Sequence, residues 1–244
     1  MKIGILIPAT SRGREWKTYK DSYLFNNTLK TFILTYDKEN EYKFYIGIDR
    51  EDKIYDNKEN KDNIKRFISI IKNIDIEFYF MDGINKGHLT IMWNKLFKQA
   101  YDEECDYFFQ CGDDIEFKTK GWVNDCISVL KSHNNIGLTG PINNNMRILT
   151  QSFVSRKHME LFSYYFPPEI INWFCDDWIN EVYRGINSFY PLQKHICLNI
   201  GGEPRYNINN LVYKNQESFN VVHMKMKEIC KQIVQRDISR IRIK

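Results

Sequence analysis

Short apolar runs alternate along the chain with polar, charged stretches of helical length. Ile3, Ile5, Leu6 and Ile7 form a run closed by Pro8 and a polar turn, which predicts a buried strand from Met1 to Pro8. A helix-like stretch follows from about Asp21 to Tyr36, then a strand from Phe44 to Ile48 that ends at Asp49-Arg50. A charged helix around Asn60 to Ile74, a strand from Ile76 to Phe80, a helix from about His88 to Tyr101 and a strand from Asp106 to Gln110 continue the pattern. A polar turn at Gly112-Asp113-Asp114, a helix from about Trp122 to Ser132 and a strand from Ile136 to Thr139 complete it.

This alternation predicts an α/β fold, with a mostly parallel sheet built from crossover units and helices on both faces. Ligands of such sheets bind beyond the carboxyl ends of the strands. Pro8 to Arg12, Asp49-Arg50 and Gly112 to Glu116 are therefore expected around one crevice, although they are far apart in sequence. After Pro141 the alternation stops. An aromatic-rich segment from Phe162 to Trp178, a short helix to about Tyr183, an extended stretch near His195 to Ile200 and a tail helix follow without a linker. The expected organisation is one domain over residues 1–220, divided near 141, and an amphipathic tail over 221–244.

Hydrophobic and charged shares of 43% and 27% exclude a disordered or low-complexity chain. The net charge of +4 is concentrated in the tail, where seven Lys and Arg stand against two acids from His223 onward. The body is near neutral, which argues against a nucleic-acid-coating surface. Met226, Ile229, Cys230, Ile233 and Val234 share one face of the tail helix. That face is expected to dock on the domain or a partner rather than on lipid, while the basic charge could touch an anionic membrane. Six cysteines without a C-x-x-C pair read as reduced thiols of a cytoplasmic protein. No run approaches the roughly 18 apolar residues of a membrane span, so a soluble protein is expected.

Candidate chemistry gathers in two acidic segments. The strand Tyr107 to Gln110 delivers Asp113, Asp114 and Glu116 to its end. Clustered carboxylates repel unless a hard cation neutralises them, and such a cation would offer open positions to phosphate oxygens. The alternative is a solvated turn whose Asp residues cap the next helix. Further on, Asp176 and Asp177 head a helix, where they would complement its dipole or supply a general base.

In order and spacing these elements resemble the GT-A glycosyltransferases, particularly the large inverting family that includes cellulose and chitin synthases. The matching residues are Ile7-Pro8-Ala9-Thr10-Ser11-Arg12 at the end of the first strand, Ile48-Asp49 at the end of the second, Asn94 on the helix before the acidic turn, and Gly121-Trp122 after it. The first acid of the family's D-x-D turn falls on Gly112, leaving Asp113 and Asp114. The resemblance spans residues 2 to about 206.

It implies a metal-dependent, inverting transfer of a sugar from a nucleotide-sugar, expected to be a UDP-sugar, to a hydroxyl of a glycan or glycoprotein. Residues 1–141 would hold the donor and metal, and 142–220 the acceptor. Pro8, Thr10, Arg12, Asp49, Asn94, Asp113 and Arg205 would contact the donor, Arg205 by closing over the diphosphate. Asp114 and Glu116 would hold Mn²⁺ or Mg²⁺, with His195 or Asn199 as a further ligand. Asp177 would be the base, Asp176 would orient the acceptor, and Thr150-Gln151-Ser152 would line the acceptor pocket. Two other readings stand beside this one. A sugar nucleotidyltransferase would need a Gly-rich loop to cradle a triphosphate, and Pro8-Ala9-Thr10 is not one. A non-catalytic carbohydrate- or nucleotide-binding protein of the same fold has Gly112 as its best argument.

Overall fold

The computed structural model describes residues 1–202 and 219–243. Strands β1 (Lys2–Ala9), β2 (Glu41–Ile48), β3 (Ile74–Phe80) and β4 (Tyr107–Gln110) pair in parallel in the order β3-β2-β1-β4. Between β1 and β2 the chain forms a 3₁₀ turn (Tyr19–Asp21), a π-helix (Leu24–Leu29) and helix α1 (Lys30–Thr35), where the sequence predicts one continuous helix. Asn26, Asn27 and Thr28 are weak α-helix formers, and the wider π turn carries the Thr28 side chain to β4's outgoing loop. Helices α3 (Leu89–Asp102) and α4 (Trp122–Ser132) lie close to the expected bounds, whereas α2 (Lys58–Ile68) stops short of the expected end at Ile74, which instead opens β3.

Beyond β4 the sheet continues with β5 (Ile115–Phe117), which precedes α4, and then β6 (Leu138–Ile142), β7 (Ser152–Ser155) and β8 (Phe189–Asn199), in the order β4-β7-β6-β8-β5. Here the pairing is mixed: β4–β7, β6–β7 and β5–β8 are antiparallel and β6–β8 is parallel. Strands β5 and β7 are three and four residues long, too short to show a period in sequence. Helices α5 (Lys157–Phe162), α6 (Cys175–Gly185) and α7 (Phe219–Ile243) cover this half.

Both faces of β1, β4 and most of β2 are buried, which explains their near-continuous apolar runs, while the edge strand β3 is only partly covered. Ile3, Ile5 and Ile7 of β1 join Phe44, Ile46 and Ile48 of β2 under a layer that includes Leu29, Phe32, Ile64 and Trp122. Leu6, Tyr45 and Phe108 face the opposite layer, with Leu96 and Phe97 of α3 and Trp178 of α6. Helix α3 sits close against the sheet at Gly4, where a Cβ would lie 3.1 Å from Ala100 Cβ.

Helix α7 docks on α6 through buried Cys230, Ile233, Val234 and Ile238, and Val222 and Met226 are also buried, while Ile229, expected on that face, is 38% exposed. Asp237 is buried in this seam, accepting hydrogen bonds from Trp178 Nε1 and Tyr164 Oη at 3.1 Å each and pairing with Arg236. No helix among the described residues is long and apolar enough to cross a membrane.

Replacing Asp237 by alanine strands the Trp178 and Tyr164 donors and leaves Arg236 with Glu169 as its carboxylate partner. A loss of about 3 kcal/mol is expected. Urea denaturation of Asp237→Ala measures it, and a loss below about 1 kcal/mol would contradict a buried acceptor tying α7 to α6.

Candidate active site

A crevice of about 360 Å³ opens beyond the carboxyl ends of β1, β2 and β4. The strand ends contribute Pro8, Ala9 and Thr10, Asp49, and Gln110 with Gly112, Asp113 and Asp114. Leu89, Met92 and Trp93 at the start of α3 form an apolar wall. Thr150, Gln151, Asn172 and Asp176 line it from the second half of the chain, and Asn199 and Gly202 from the end of β8 and just beyond. A second, more open cleft of about 520 Å³ adjoins it, sharing Thr10 and Asp49 and reaching Arg12, Arg14, Lys53 and Lys86.

The acidic turn is fixed from below and from the side. The buried Thr28 hydroxyl lies 2.9 Å and 3.0 Å from the carbonyls of Asp113 and Ile115 as a donor, and accepts from the Ile115 amide at 3.0 Å. The Ile200 amide donates to the Asp114 carbonyl at 3.0 Å, which ties the turn to the end of β8. Asp113 is buried and Asp114 is half-buried, both at the crevice.

Asp52 organises the turn after β1. Its carboxylate accepts from Thr10 Oγ1, the Ser11 amide and hydroxyl, and the Ile54 and Tyr55 amides, at 2.7–3.1 Å. Five donors satisfy the lone pairs of this buried group and lock the β1 and β2 loops together. In sequence Asp52 sits within Arg50-Glu51-Asp52-Lys53, which reads as an ordinary solvated run.

At the head of α6, Phe174 takes a left-handed φ of 71° and sets the phase in which the two acids leave the loop. Asp176 lines the crevice, whereas Asp177 is exposed and is not among the crevice residues. Burial, and then the charge of Asp177, push the Asp176 carboxyl up to about 7.

Of the other residues singled out from sequence, Pro8, Thr10, Asp49, Asp113 and Asp114 meet at the crevice, and Arg12 lines the adjoining cleft. Asn94 lies elsewhere: its amide donates to the Phe166 carbonyl and accepts from the Tyr165 and Phe166 amides, fixing the segment before α6. Glu116 pairs with Lys118 at 2.6 Å. His195 is buried against α4, 2.6 Å from Asp125 Oδ2 and 3.2 Å from Thr119 Oγ1, so Asn199 rather than His195 reaches the crevice. Arg205 lies outside the described residues. Gln110 and Asn172 line the crevice without having been singled out, although a polar residue closing an apolar strand is a legible signal for Gln110.

No protein-family model matches the chain, and no curated protein matches it in sequence. Solved structures match it in shape. Residues 1–349 of S. aureus TarS in complex with UDP-GlcNAc align with a TM-score of 0.57 over 84% of this chain at 13% identity. The same fragment in complex with UDP gives 0.55 over 81% at 13% identity, and S. aureus TarS itself gives 0.53 over 80% at 14%. The chain spans 60% of the 1–349 fragment and 36% of the TarS chain. The fold is of the GT-A glycosyltransferase type, as the resemblance in sequence implies.

The raised Asp176 carboxyl has a consequence for stability. Between the ordinary carboxylate range and about pH 7 the folded chain holds a proton that the unfolded chain has released, so stability falls as pH rises through that window. Asp176→Asn removes this titration. Its melting temperature relative to wild type should therefore rise from about pH 4 to about pH 8, and a difference independent of pH would contradict the assigned burial.

Proposed function

We propose that the chain is a glycosyltransferase that moves a sugar from a nucleotide-sugar, a UDP-sugar, to a hydroxyl of a glycan or protein-linked acceptor, with inversion at the anomeric carbon. The observation that carries this reading is the meeting in one crevice of Thr10 and Asp49, the Asp113-Asp114 turn, and Asp176 from the second half of the chain. The complexes of the TarS fragment with UDP and with UDP-GlcNAc support the donor class.

In this reading Thr10 and Asp49 hold the nucleoside, and the acidic turn lies at the diphosphate. Among the described residues no three His, Cys, Asp or Glu side chains gather as a metal cage. A hard divalent cation such as Mn²⁺ or Mg²⁺ needs only one or two carboxylates when substrate phosphates and waters complete its shell, so the turn fits one. Asp114 and Asp113 would hold it, and when bound it would neutralise charge on the departing diphosphate.

The acceptor oxygen attacks the anomeric carbon, the bond to the diphosphate breaks, and UDP leaves with the electron pair. The acceptor proton passes to a carboxylate. We assign this base role to Asp176, because it borders the crevice and its raised affinity for a proton suits a base working near neutrality. The sequence resemblance gives that role to Asp177, which is exposed in the first turn of α6, where its charge complements the helix dipole.

Calorimetry with UDP, with and without manganese, tests donor binding. Wild type should bind UDP more tightly with manganese, and Asp114→Asn should lose that dependence while keeping its fold. Unchanged manganese dependence would remove Asp114 from the role. Metal-dependent UDP binding with no transfer to any acceptor would favour a non-catalytic binding protein.

Asp176→Asn should keep donor binding while kcat falls by about 10²- to 10⁴-fold, and Asp177→Asn should cost less. Wild-type kcat should rise with pH through about 7 as Asp176 releases its proton. Near-normal turnover in Asp176→Asn, or retention of configuration in the product by NMR, would overturn the assignment.

A further inference from the structure

Gly112 stands where the resembling family carries the first acid of its metal turn. Backbone conformation does not require glycine there. Neither Gly112 nor Gly201 has a φ in the left-handed region, in contrast to the neighbouring Gly121 and Gly202 at 80° and 68°. The seating of the Asp114 carboxylate does favour it. A Cβ on residue 112 would lie 2.4 Å from Asp114 Oδ1 and 3.5 Å from its Cγ. A Cβ on residue 201 would lie 1.7 Å from Asp114 Oδ2, 2.5 Å from Cγ and 2.9 Å from Cβ.

The Asp114 carboxylate is thus seated between two bare Cα positions, one on its own turn and one just past β8. Both walls are held in place. Thr28 fixes the carbonyls on either side of Asp114, the Ile200 amide bonds the Asp114 carbonyl, and the Gly201 amide donates to Asn199 Oδ1 at 3.1 Å.

We propose that Gly112 and Gly201 are positioning residues that form a slot for the Asp114 carboxylate, so that glycine at 112 keeps this carboxylate aimed into the donor site and an acid placed there would weaken the site rather than complete it. The inference rests on the reading of Asp114 as the carboxylate at the diphosphate. It removes the argument that Gly112 marks lost function. The two walls differ in kind. At 112 the conflict involves the carboxylate tip alone and is relieved by turning it about χ2. At 201 it reaches Cγ and Cβ, so relief requires the whole Asp114 side chain to leave its rotamer.

Crystal structures of wild type, Gly112→Ala, Gly112→Asp and Gly201→Ala without nucleotide, paired with calorimetry for UDP and manganese, test the slot. The Asp114 carboxylate should be turned in Gly112→Ala and displaced with a changed χ1 in Gly201→Ala. Gly112→Ala should keep its melting temperature within about 2 °C, since only a mobile tip must shift. UDP–manganese affinity should fall roughly 10-fold in Gly112→Ala and roughly 100-fold in Gly201→Ala, the scale of a misplaced binding group. Gly112→Asp should bind no more tightly than Gly112→Ala. Asp114 unmoved in the alanine variants, or UDP–manganese binding by Gly112→Asp as tight as or tighter than by wild type, would overturn the proposal. If Gly201→Ala fails to fold, Gly112→Ala carries the test alone. A wild type that does not bind UDP would sink the donor reading, while the side-chain positions, read without nucleotide, still judge the slot.

Discussion

A sheet covered by helices on both faces leaves its polar groups one place to gather, beyond the strand ends. Strands β1, β2 and β4 are buried on both sides by two separate apolar layers over most of their length, and their charged side chains, such as Lys43 paired with Glu103, are confined to the ends away from the crevice. The chain meets this constraint by ending each strand in a polar residue, Thr10 after β1, Asp49 after β2 and Gln110 at the close of β4. Parallel pairing brings those ends to the same edge. The short β4 then turns at once into Asp113 and Asp114, and the Thr28 hydroxyl supplies the hydrogen bonds that this tight, buried turn cannot make to itself.

Gathering carboxylates at one edge sets an electrostatic problem that is resolved differently at each residue. Asp52 is satisfied by five donors and serves as a knot between two loops. Asp237, far from the crevice, is satisfied by Trp178, Tyr164 and Arg236 and serves as a seam. Asp176, held beside Asp177 in a desolvated position, is pushed toward the protonated form. The proposed function gives this last, costly arrangement a use, since a carboxylate that binds a proton readily is what an attacking hydroxyl requires.

The parallel half of the fold was legible because its apolar runs and helical spacings repeat over about 130 residues. Strands β5 and β7 were not, because three or four residues carry no period and their pairing is fixed by other strands, β8 for β5 and β4 with β6 for β7. The strand-end residues were legible from topology alone. Asn94 was visible as a polar residue on α3, but only the folded chain shows it spent on the backbone of Tyr165 and Phe166. Asp176 and Asp177 are adjacent at a helix head, where successive side chains point about 100° apart. Which one faces the crevice depends on the left-handed turn at Phe174, and no pattern of residue types records that. Asp52 was hidden by its charged neighbours, and the slot around Asp114 depends on Gly201, which is distant in sequence.

The central claim is that this one crevice receives a nucleotide-sugar. A crystal structure of the chain soaked with UDP and manganese tests it most directly. The uracil and ribose should lie against Thr10 and Asp49, and the diphosphate at the Asp113-Asp114 turn. UDP seated outside the crevice, or reversed within it so that its phosphates lie away from Asp114, would contradict the account.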